Sequence, residues 1–277
     1  MINMDLLFAG VRQTKVLVRG AGEMATGVAH RLHRSGIRVC LTEIAAPLAV
    51  RRAVSFCEAV YDGVMTVEGV TAVNVGSPEE IEGAWGKGEI PLLIDPANKV
   101  KGVLRPDVVV DAILAKRNIG TEICDAPLVL GLGPGFTANQ DVHVVIETNR
   151  GHDLGRLIFQ GQAEPDTGVP GVIGGYGIER VLRTPQAGIF HAVKMIGDAV
   201  AKGDIVANVD GAPMHAQING VLRGLLRDGI VVTKNMKAGD IDPRGKRGAC
   251  FTISDKARAI GGAVLEAILS QLPVRVS

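Results

Sequence analysis

The sequence predicts an α/β fold: a domain built on a parallel sheet, followed by a small all-β domain. Three observations favour this class. Near the start, a short apolar run opens into a glycine turn and a helical pattern; further apolar runs end in acidic residues; and a pattern of short strands repeats in the second half. Hydrophobic residues make up 47% of the 277 residues and aromatic residues only 3%, so the predicted core is aliphatic, as close packing in α/β sheets requires.

The first predicted unit is a strand, a glycine turn and a helix at residues 16–32. The turn reads G-x-G-x-x-A: Gly20 allows the tight turn, Gly22 lets a pyrophosphate approach the backbone, and Ala25 replaces the usual third glycine. The NH groups and positive dipole end of the helix would point at the phosphate. The pattern predicts a Rossmann-like nucleotide-binding domain with these three residues in its cofactor site. An ordinary strand–helix turn is the alternative.

Acidic residues end the next apolar runs. Glu43 lies 21 residues after Gly22 (43 − 22), where the dinucleotide fingerprint places a carboxylate for the ribose hydroxyls. Asp95 and Asp111 end two runs typical of strands buried on both faces. Because ligands bind beyond the carboxyl ends of parallel strands, all three carboxylates are predicted cofactor-binding residues. The alternative is that Asp95 and Asp111 cap the segments that follow them.

Glu43 also bears on which dinucleotide binds. A carboxylate there accepts hydrogen bonds from a ribose diol and repels a 2′-phosphate, which predicts an NAD-type over an NADP-type ligand. Arg51 and Arg52 follow in the chain. They could contact a phosphate, or lie solvated on a helix, and the solvated position is favoured.

A second glycine turn and a loop supply further candidates. Gly133 and Gly135 follow an apolar run, and their NH groups could bind an anion; a plain tight corner is the alternative. His152 lies between Arg150 and Arg156 on a glycine-containing loop and is a candidate catalytic residue. The alternative is an exposed loop without a role.

The four cysteines form no C-x-x-C motif, and no metal site is predicted. Cys40, Cys57 and Cys124 are predicted to be reduced, buried thiols. Cys250 is the second candidate catalytic residue, because the cationic stretch at 244–247 would lower its pKa and raise its reactivity.

The second domain is predicted from an internal repeat. Gly188-Ile-Phe recurs as Gly220-Val-Leu after 32 residues, and Gly203-Asp-Ile recurs as Gly239-Asp-Ile after 36. Short strands repeated in this way indicate two interlocked four-strand halves, similar to the barrel-sandwich hybrid of biotinyl and lipoyl carriers. The stretch equivalent to their modified hairpin, residues 209–215, has no lysine, so we expect no covalent biotin or lipoate and predict a structural or docking module.

The predicted domains are 1–178, 179–247 and 248–277. A segment rich in glycine and proline at 164–177 indicates a linker before the second domain. After it, Ser254 is placed to cap a C-terminal helix that contains Gly261 and Gly262, and such glycines suit close packing against another backbone. We expect this helix to pack back on the first domain.

Charge and hydropathy argue against nucleic-acid and membrane partners, respectively. Thirty Lys and Arg against 29 Asp and Glu give a formal charge of +1, which provides no field for collecting nucleic acid. No apolar run reaches the roughly eighteen residues that span a bilayer, and the start lacks a basic region followed by a long apolar one. A cytoplasmic protein without nucleic-acid or membrane partners is predicted.

Three long stretches of the chain are distinctive. They are Arg19-Gly-Ala-Gly-Glu-Met-Ala-Thr-Gly-Val-Ala-His-Arg-Leu-His-Arg-Ser-Gly, Gly131-Leu-Gly-Pro-Gly-Phe with Asp141-Val-His-Val-Val-Ile-Glu-Thr-Asn-Arg-Gly-His, and Asp242-Pro-Arg with Cys250-Phe-Thr-Ile-Ser-Asp-Lys-Ala-Arg-Ala-Ile-Gly-Gly. These stretches resemble the selenium-dependent molybdenum hydroxylase system accessory proteins, which are related in role to xanthine dehydrogenase accessory factors. The resemblance implies a Rossmann-like protein that assists maturation of molybdenum hydroxylases. It implies as partners a hydroxylase apo-enzyme or other maturation factors, and it supplies no catalytic residues. A homo-oligomer is expected.

Three functions follow, and whether the protein is an enzyme stays open. The first is a maturation factor that binds an NAD-type dinucleotide or a molybdopterin-type cofactor at the glycine-rich crevice. The second is an NAD(P)-dependent oxidoreductase, although the chain has no Tyr-x-x-x-Lys to serve as proton donor. The third is a non-catalytic scaffold that docks a hydroxylase through residues 180–245.

Overall fold

The computed structural model describes residues 13–271, which divide into two units. Within these residues, the first unit comprises 13–47, 56–166 and 254–271, and the second comprises 48–55 and 167–253. The chain therefore enters the second unit twice and returns to the first each time. The domain boundaries predicted at residues 178 and 247 assigned residues 48–55 to the first domain, whereas they belong to the second unit.

The first unit is built on a nine-stranded mixed sheet with the order β10-β9-β7-β6-β1-β2-β5-β4-β3. Its seven inner strands are parallel, whereas the edge strands β3 and β10 are antiparallel to their neighbours. A separate two-stranded sheet pairs β8 with β11. The strands are β1 Lys15–Arg19, β2 Arg38–Glu43, β3 Val64–Val67, β4 Val70–Asn74, β5 Ile90–Ile94, β6 Val108–Asp111, β7 Leu128–Leu132, β8 Thr137–Ala138, β9 Val144–Ile146, β10 Leu157–Ile158 and β11 Gly161–Gln162.

Two long helices pack together in this unit. They are α1 Glu23–Arg34, which joins β1 to β2, and α5 Asp255–Gln271. Their backbones approach closely: a Cβ atom built on Gly27 would lie 2.7 Å from the carbonyl oxygen of Ala257, and one built on Gly261 would lie 2.7 Å from that of Gly27. The short helices are α2 Ala59–Asp62, α3 Ile81–Gly86 and α4 Lys101–Leu104.

The second unit contains two four-stranded antiparallel sheets, with orders β12-β19-β17-β14 and β16-β15-β13-β18. The strands are β12 Val181–Arg183, β13 Gly188–Ala192, β14 Ala199–Val200, β15 Ile205–Val209, β16 Ala212–His215, β17 Gly220–Leu225, β18 Val231–Val232 and β19 Lys237–Asp242. Strands from the two halves of the repeat pair with each other: β14 pairs with β17 of the second half, and β18 pairs with β13 of the first. Phe190, Leu222 and Leu225 are among the fully buried side chains of the core.

The predicted fold class, a Rossmann-like parallel sheet plus a barrel-sandwich hybrid, is wrong. The β3–β4 hairpin and the β9–β10 pair make the large sheet mixed. The crossovers also lack regular helices: α4 is a single turn between β5 and β6, and no α-helix lies between β6 and β7. In the second unit the strands form two separate antiparallel sheets. Both departures from the predicted fold depend on the lengths of the connections and on which strands pair at the sheet edges. Local periodicity in the sequence does not encode either property.

Candidate functional site

The glycine turn after β1 is open to a ligand at Gly22. Gly20 has φ +91°, and a Cβ there would lie 3.2 Å from the carbonyl oxygen of Ala112, so this position requires glycine. Gly22 has extended backbone, with φ −69° and ψ −173°, and a Cβ there would meet nothing within 4 Å. It is the N-cap of α1, and no side chain caps this helix end. The turn therefore presents backbone to open space at a helix N-terminus.

Glu43 holds this turn in place. Its Oε2 accepts a hydrogen bond from the Ala21 amide at 2.9 Å, and its Oε1 accepts one from the Ile44 amide at 2.8 Å. The Ala21 carbonyl accepts from the Cys57 amide at 2.8 Å and from the Thr26 hydroxyl at 3.2 Å. The structure thus brings Glu43 to the glycine turn, as predicted, and adds Ala21, Thr26 and Cys57, which the sequence did not single out.

Ala25 lies inside the fold. It is fully buried in α1, so its role is in packing. The small side chain allows the helix to lie close to the sheet.

Asp111 is part of a buried ion pair below the turn. It is 1% exposed and lies opposite Arg19 in the β1–β6 register, 3.2 Å from the Arg19 Nη1. Thr121 donates to the same carboxylate, and the Ile113 amide donates to its other oxygen at 3.1 Å. With its oxygens engaged, Asp111 acts as a structural group, in line with the capping alternative.

Asp95 also caps the chain that follows it. Its Oδ2 accepts from the Val100 amide at 2.8 Å, and its own amide donates to the Glu43 carbonyl at 3.0 Å. Asp95 therefore follows the strand next to that of Glu43, at the carboxyl edge of the sheet. Its carboxylate binds the backbone of the segment that follows it.

The second glycine turn is filled by protein atoms. A Cβ on Gly135 would lie 2.6 Å from the backbone of Arg117, and one on Gly131 would lie 2.6 Å from the ring of Phe136. Gly133, at φ +76°, faces the side chain of Thr148, and its amide donates to the Ile146 carbonyl at 2.9 Å. This turn is a tight corner, which leaves Gly22 as the open glycine turn of the two.

The predicted reactivity of Cys250 is wrong in direction. The residue is fully buried, and the pKa of its thiol is raised by burial and to a smaller extent by Asp242, although nearby arginines act to lower it. A buried, protonated thiol is a poor nucleophile. Cys40 and Cys57 are buried as predicted.

Cys124 contradicts its prediction, because it is exposed. It lies in a short 3-10 turn at Ile123–Asp125, and its Sγ is 3.5 Å from the Glu122 carboxylate. A single turn on the surface offers no apolar layer to cover the thiol.

His152 lies on an exposed loop at the edge of a cavity in the first unit. The cavity has a volume of about 580 Å³ and is lined by the loop 152–157, Phe159 and the end of α5. Arg156 pairs with Asp153 at 2.9 Å, and Arg150 makes a two-pronged ion pair with Asp255 at 2.7 and 2.9 Å. The two arginines thus have protein partners. Within residues 13–271, no hydrogen bond or ion pair joins His152 to a nucleophile or a carboxylate.

Arg51 and Arg52 belong to the second unit. Arg51 is 6% exposed and donates to the carbonyls of Ala249 and Thr252, each at 3.2 Å; Arg52 donates to Leu225 at 3.1 Å. The favoured prediction of solvated arginines is therefore wrong for Arg51.

The second unit also holds a buried ionic group that the sequence reading missed. It consists of Arg180, Arg223 and Asp240, each at most 8% exposed. Part of the signal was available in the sequence, because Arg223 interrupts the otherwise apolar sequence of β17, and a charged residue in such a strand is unusual.

Within residues 13–271, no three His, Cys, Asp or Glu side chains are grouped as metal ligands. Over the same residues, no helix combines the length and apolarity needed to cross a membrane.

No family model matches the chain. A curated relative, described as uncharacterized protein YqeB of Escherichia coli (strain K12), is 49% identical over 254 residues, which are 92% of this chain and 47% of the relative. The chain thus spans about half the length of the curated relative it matches.

Several solved structures show a distant likeness. An aspartoacylase family protein from Mesorhizobium loti is 15% identical with a TM-score of 0.27, covering 83% of this chain and 85% of that one. The ectoine utilization protein EutE from Ruegeria pomeroyi is 10% identical with a TM-score of 0.24, covering 83% and 86%. A succinylglutamate desuccinylase from Silicibacter is 13% identical with a TM-score of 0.24, covering 83% and 84%.

The names of these structures are of the aspartoacylase and desuccinylase type. None names selenium or molybdenum hydroxylase maturation, so the expected class is not borne out among them. With TM-scores below 0.5, the likenesses carry no argument about this chain's own activity. The predicted accessory role stays a prediction.

Proposed function

We propose that the first unit binds the phosphate-bearing part of an NAD-type dinucleotide or a molybdopterin-type cofactor at the Gly22 crevice, formed by residues 20–22 and Glu43. One observation carries the proposal: Gly22 offers open space at the N-terminus of a twelve-residue helix that no side chain caps. The first amides of a helix and its positive dipole end favour a bound phosphate.

Glu43 supplies the second part of the crevice. Each of its two carboxylate oxygens accepts one hydrogen bond, from the Ala21 amide and from the Ile44 amide. A carboxylate can accept about four hydrogen bonds. Two further hydrogen bonds can therefore come from hydroxyl donors such as those of a ribose. A phosphate belongs at the helix end, whereas the hydroxyl-bearing part of the ligand belongs beside Glu43.

A Gly22→Val variant tests the crevice directly. The added side chain would occupy the open space without backbone strain, because φ at this position is −69°. Losing one charge-assisted hydrogen bond to the phosphate costs about 1.5–3 kcal/mol, which corresponds to a roughly 10- to 100-fold weaker affinity. The measurement is calorimetric titration with NAD, NADP, mononucleotides and the molybdenum cofactor.

Gly83→Val is the matched control. Gly83 is also unstrained and open within 4 Å, but it lies in α3. It should bind like wild type, and circular dichroism should show both variants folded. The proposal fails if wild type binds none of these ligands, or if folded Gly22→Val binds one with unchanged affinity.

The partner depends on the ligand. If the molybdopterin-type cofactor binds, the predicted partner is a molybdenum hydroxylase apo-enzyme or another maturation factor. Transfer of the bound cofactor to an apo-hydroxylase, compared between wild type and Gly22→Val, tests this prediction. Transfer that proceeds equally with both proteins would contradict it.

A further inference from the structure

Arg223 is a buried cation in the second unit that shares its carboxylate, Asp240, with Arg180. The residue is 8% exposed, and its Nη1 lies 3.8 Å from Asp240 Oδ2, beyond hydrogen-bonding distance. Its Nε has no hydrogen-bond partner within the part of the chain that the structure describes. A buried charge is costly unless it is paired and hydrogen-bonded.

Both nearby carboxylates are already taken. Asp240 accepts from Arg180 Nη1 at 2.6 Å. Asp242 accepts from Arg244 at 2.9 Å through Nε and at 2.7 Å through Nη2, and this pairing lowers the pKa of its carboxyl. Each aspartate is therefore hydrogen-bonded to another arginine, and Arg223 only shares Asp240 with Arg180 in a longer ion pair. Two carboxylates thus serve three arginines in this group.

The backbone directs Arg223 to this position. The β17–β19 register shifts between Leu222 and Gly224, which places Arg223 in a bulge. Bulges of this kind redirect a side chain and are frequent beside binding sites. An uncharged residue would fit the apolar run of β17 more simply.

The segment around Cys250 lies beside this bulge. The Cys250 thiol is 3.8 Å from the carbonyl oxygen of Leu222, the residue before Arg223. Arg51 donates to the carbonyls of Ala249 and Thr252, on either side of the cysteine. Positive groups thus meet around one buried thiol, and we refer to Arg51, Arg223 and Cys250 as the Arg223 cluster.

We propose that the Arg223 cluster binds a small oxyanion of the phosphate or sulfate class. A guanidinium presents NH donors in a planar fork that matches two oxygens of such an anion. The bound anion would supply the hydrogen bonds and the negative charge that Arg223 lacks. This site is separate from the Gly22 crevice and does not depend on the function proposed for it.

The first test measures the melting temperature in millimolar phosphate against chloride at equal ionic strength. Wild type should show a saturating rise in Tm, and Arg223→Gln should show a smaller one, because only phosphate binding at the Gly22 crevice would remain. Arg183→Gln is the matched control, because Arg183 is an exposed arginine of β12 bonded only to the Asn235 carbonyl in the described structure. It should respond like wild type. No rise in wild type, or an equal rise in folded Arg223→Gln, overturns the proposal.

The second test uses wild type alone and so does not depend on a variant that folds. In low urea, buried thiols react with an alkylating reagent only when their surroundings open, and peptide mass spectrometry gives the rate for each cysteine. Phosphate should slow the alkylation of Cys250. Cys57 is the reference, because its amide bonds to Ala21 beside the Gly22 crevice.

The two sites give different results in this test. Protection of Cys250 without Cys57 supports the Arg223 cluster. Protection of Cys57 alone places the phosphate at the Gly22 crevice, which overturns this proposal and leaves the proposed function standing. Protection of both thiols in phosphate, but not in chloride of equal ionic strength, reports both sites and supports the proposal. Protection that chloride gives equally, or no protection of Cys250, overturns it.

Discussion

Glu43 sets the expected cofactor preference at the scale of single residues. Its fixed carboxylate should accept from a ribose diol and repel a 2′-phosphate, and Arg51 and Arg52 donate to carbonyls of the second unit. We expect NAD to bind at least about tenfold more tightly than NADP, equivalent to roughly 1.4 kcal/mol. Calorimetric titration of both ligands checks this.

A Glu43→Gln variant sharpens that comparison. Glutamine keeps one acceptor for the Ala21 amide but removes the negative charge, so the difference between NAD and NADP should shrink. Equal binding of both ligands by wild type would contradict the role given to the carboxylate.

His143 gives a pH-dependent prediction. Its Nδ1 accepts a hydrogen bond from the Val129 amide at 2.9 Å, and burial lowers the pKa of the ring. A histidine whose folded pKa lies below the unfolded value of about 6.5 contributes stability above that pH, and the contribution is lost as the pH falls below it. Protonated Nδ1 would also be unable to accept from Val129.

Thermal melting from pH 7.5 to pH 5 tests this in wild type and His143→Asn. Asparagine offers an oxygen near the position of Nδ1 and does not titrate, so the fall in Tm with falling pH should be shallower in the variant. His33, whose pKa is also lowered, remains in both proteins and cancels in the comparison. Parallel pH profiles would rule out a contribution from His143.

At the scale of elements, the contact between α1 and α5 predicts opposite effects for two adjacent glycines. A Cβ on Gly261 would lie 2.7 Å from the Gly27 carbonyl oxygen, whereas one on Gly262 would meet nothing within 4 Å. Gly261→Ala should destabilise the protein by about 1–3 kcal/mol through overpacking. Gly262→Ala should stabilise it by about 0.5–1 kcal/mol through helix propensity.

Urea unfolding of both variants measures the two signs. The pair controls itself, since the same substitution is made one residue apart in the same helix. Loss of stability in both variants would mean that helix packing at this contact differs from the structure.

Local patterns in the sequence identified many elements of this fold. The strand predicted at the start of residues 16–32 is β1, and the apolar run before Gly133 is β7. In the site, spacing placed Glu43 at the glycine turn. These features depend on neighbours in sequence, which is why periodicity and spacing reveal them.

Features that depend on distant partners could not be predicted. The Leu225 amide bonds to the Val50 carbonyl, and no periodicity links two residues so far apart. The pairing of Asp111 with Arg19 follows from strand register, which turned a predicted ligand residue into a buried ion pair. The closed packing at Gly135 and the openness at Gly22 likewise depend on residues from other elements.

At the scale of the whole molecule, each unit contains chain from both sides of residues 164–177. Residues 48–55 belong to the second unit, and α5 belongs to the first. Tyr176 is 41% exposed in this segment. We expect limited chymotrypsin to cut there and the two fragments to stay together on size exclusion. The N-terminal fragment supplies residues 48–55 to the second unit, and the C-terminal fragment supplies α5 to the first.

Two controls accompany this experiment. Tyr176→Ser should resist the cut, and urea should separate the fragments of the cleaved wild type. Fragments that separate without denaturant would show that residues 48–55 and α5 do not hold their units together.

The contact between α1 and α5 also affects how the protein is made. α5 begins 221 residues after α1 ends (255 − 34), so a growing chain carries α1 with its Gly27 face uncovered until nearly all described residues have left the ribosome. Every residue of the second unit is synthesised before α5. Domains generally fold in the order of synthesis. In this chain the second unit is fully synthesised before the first, because the first unit still lacks α5 at that point.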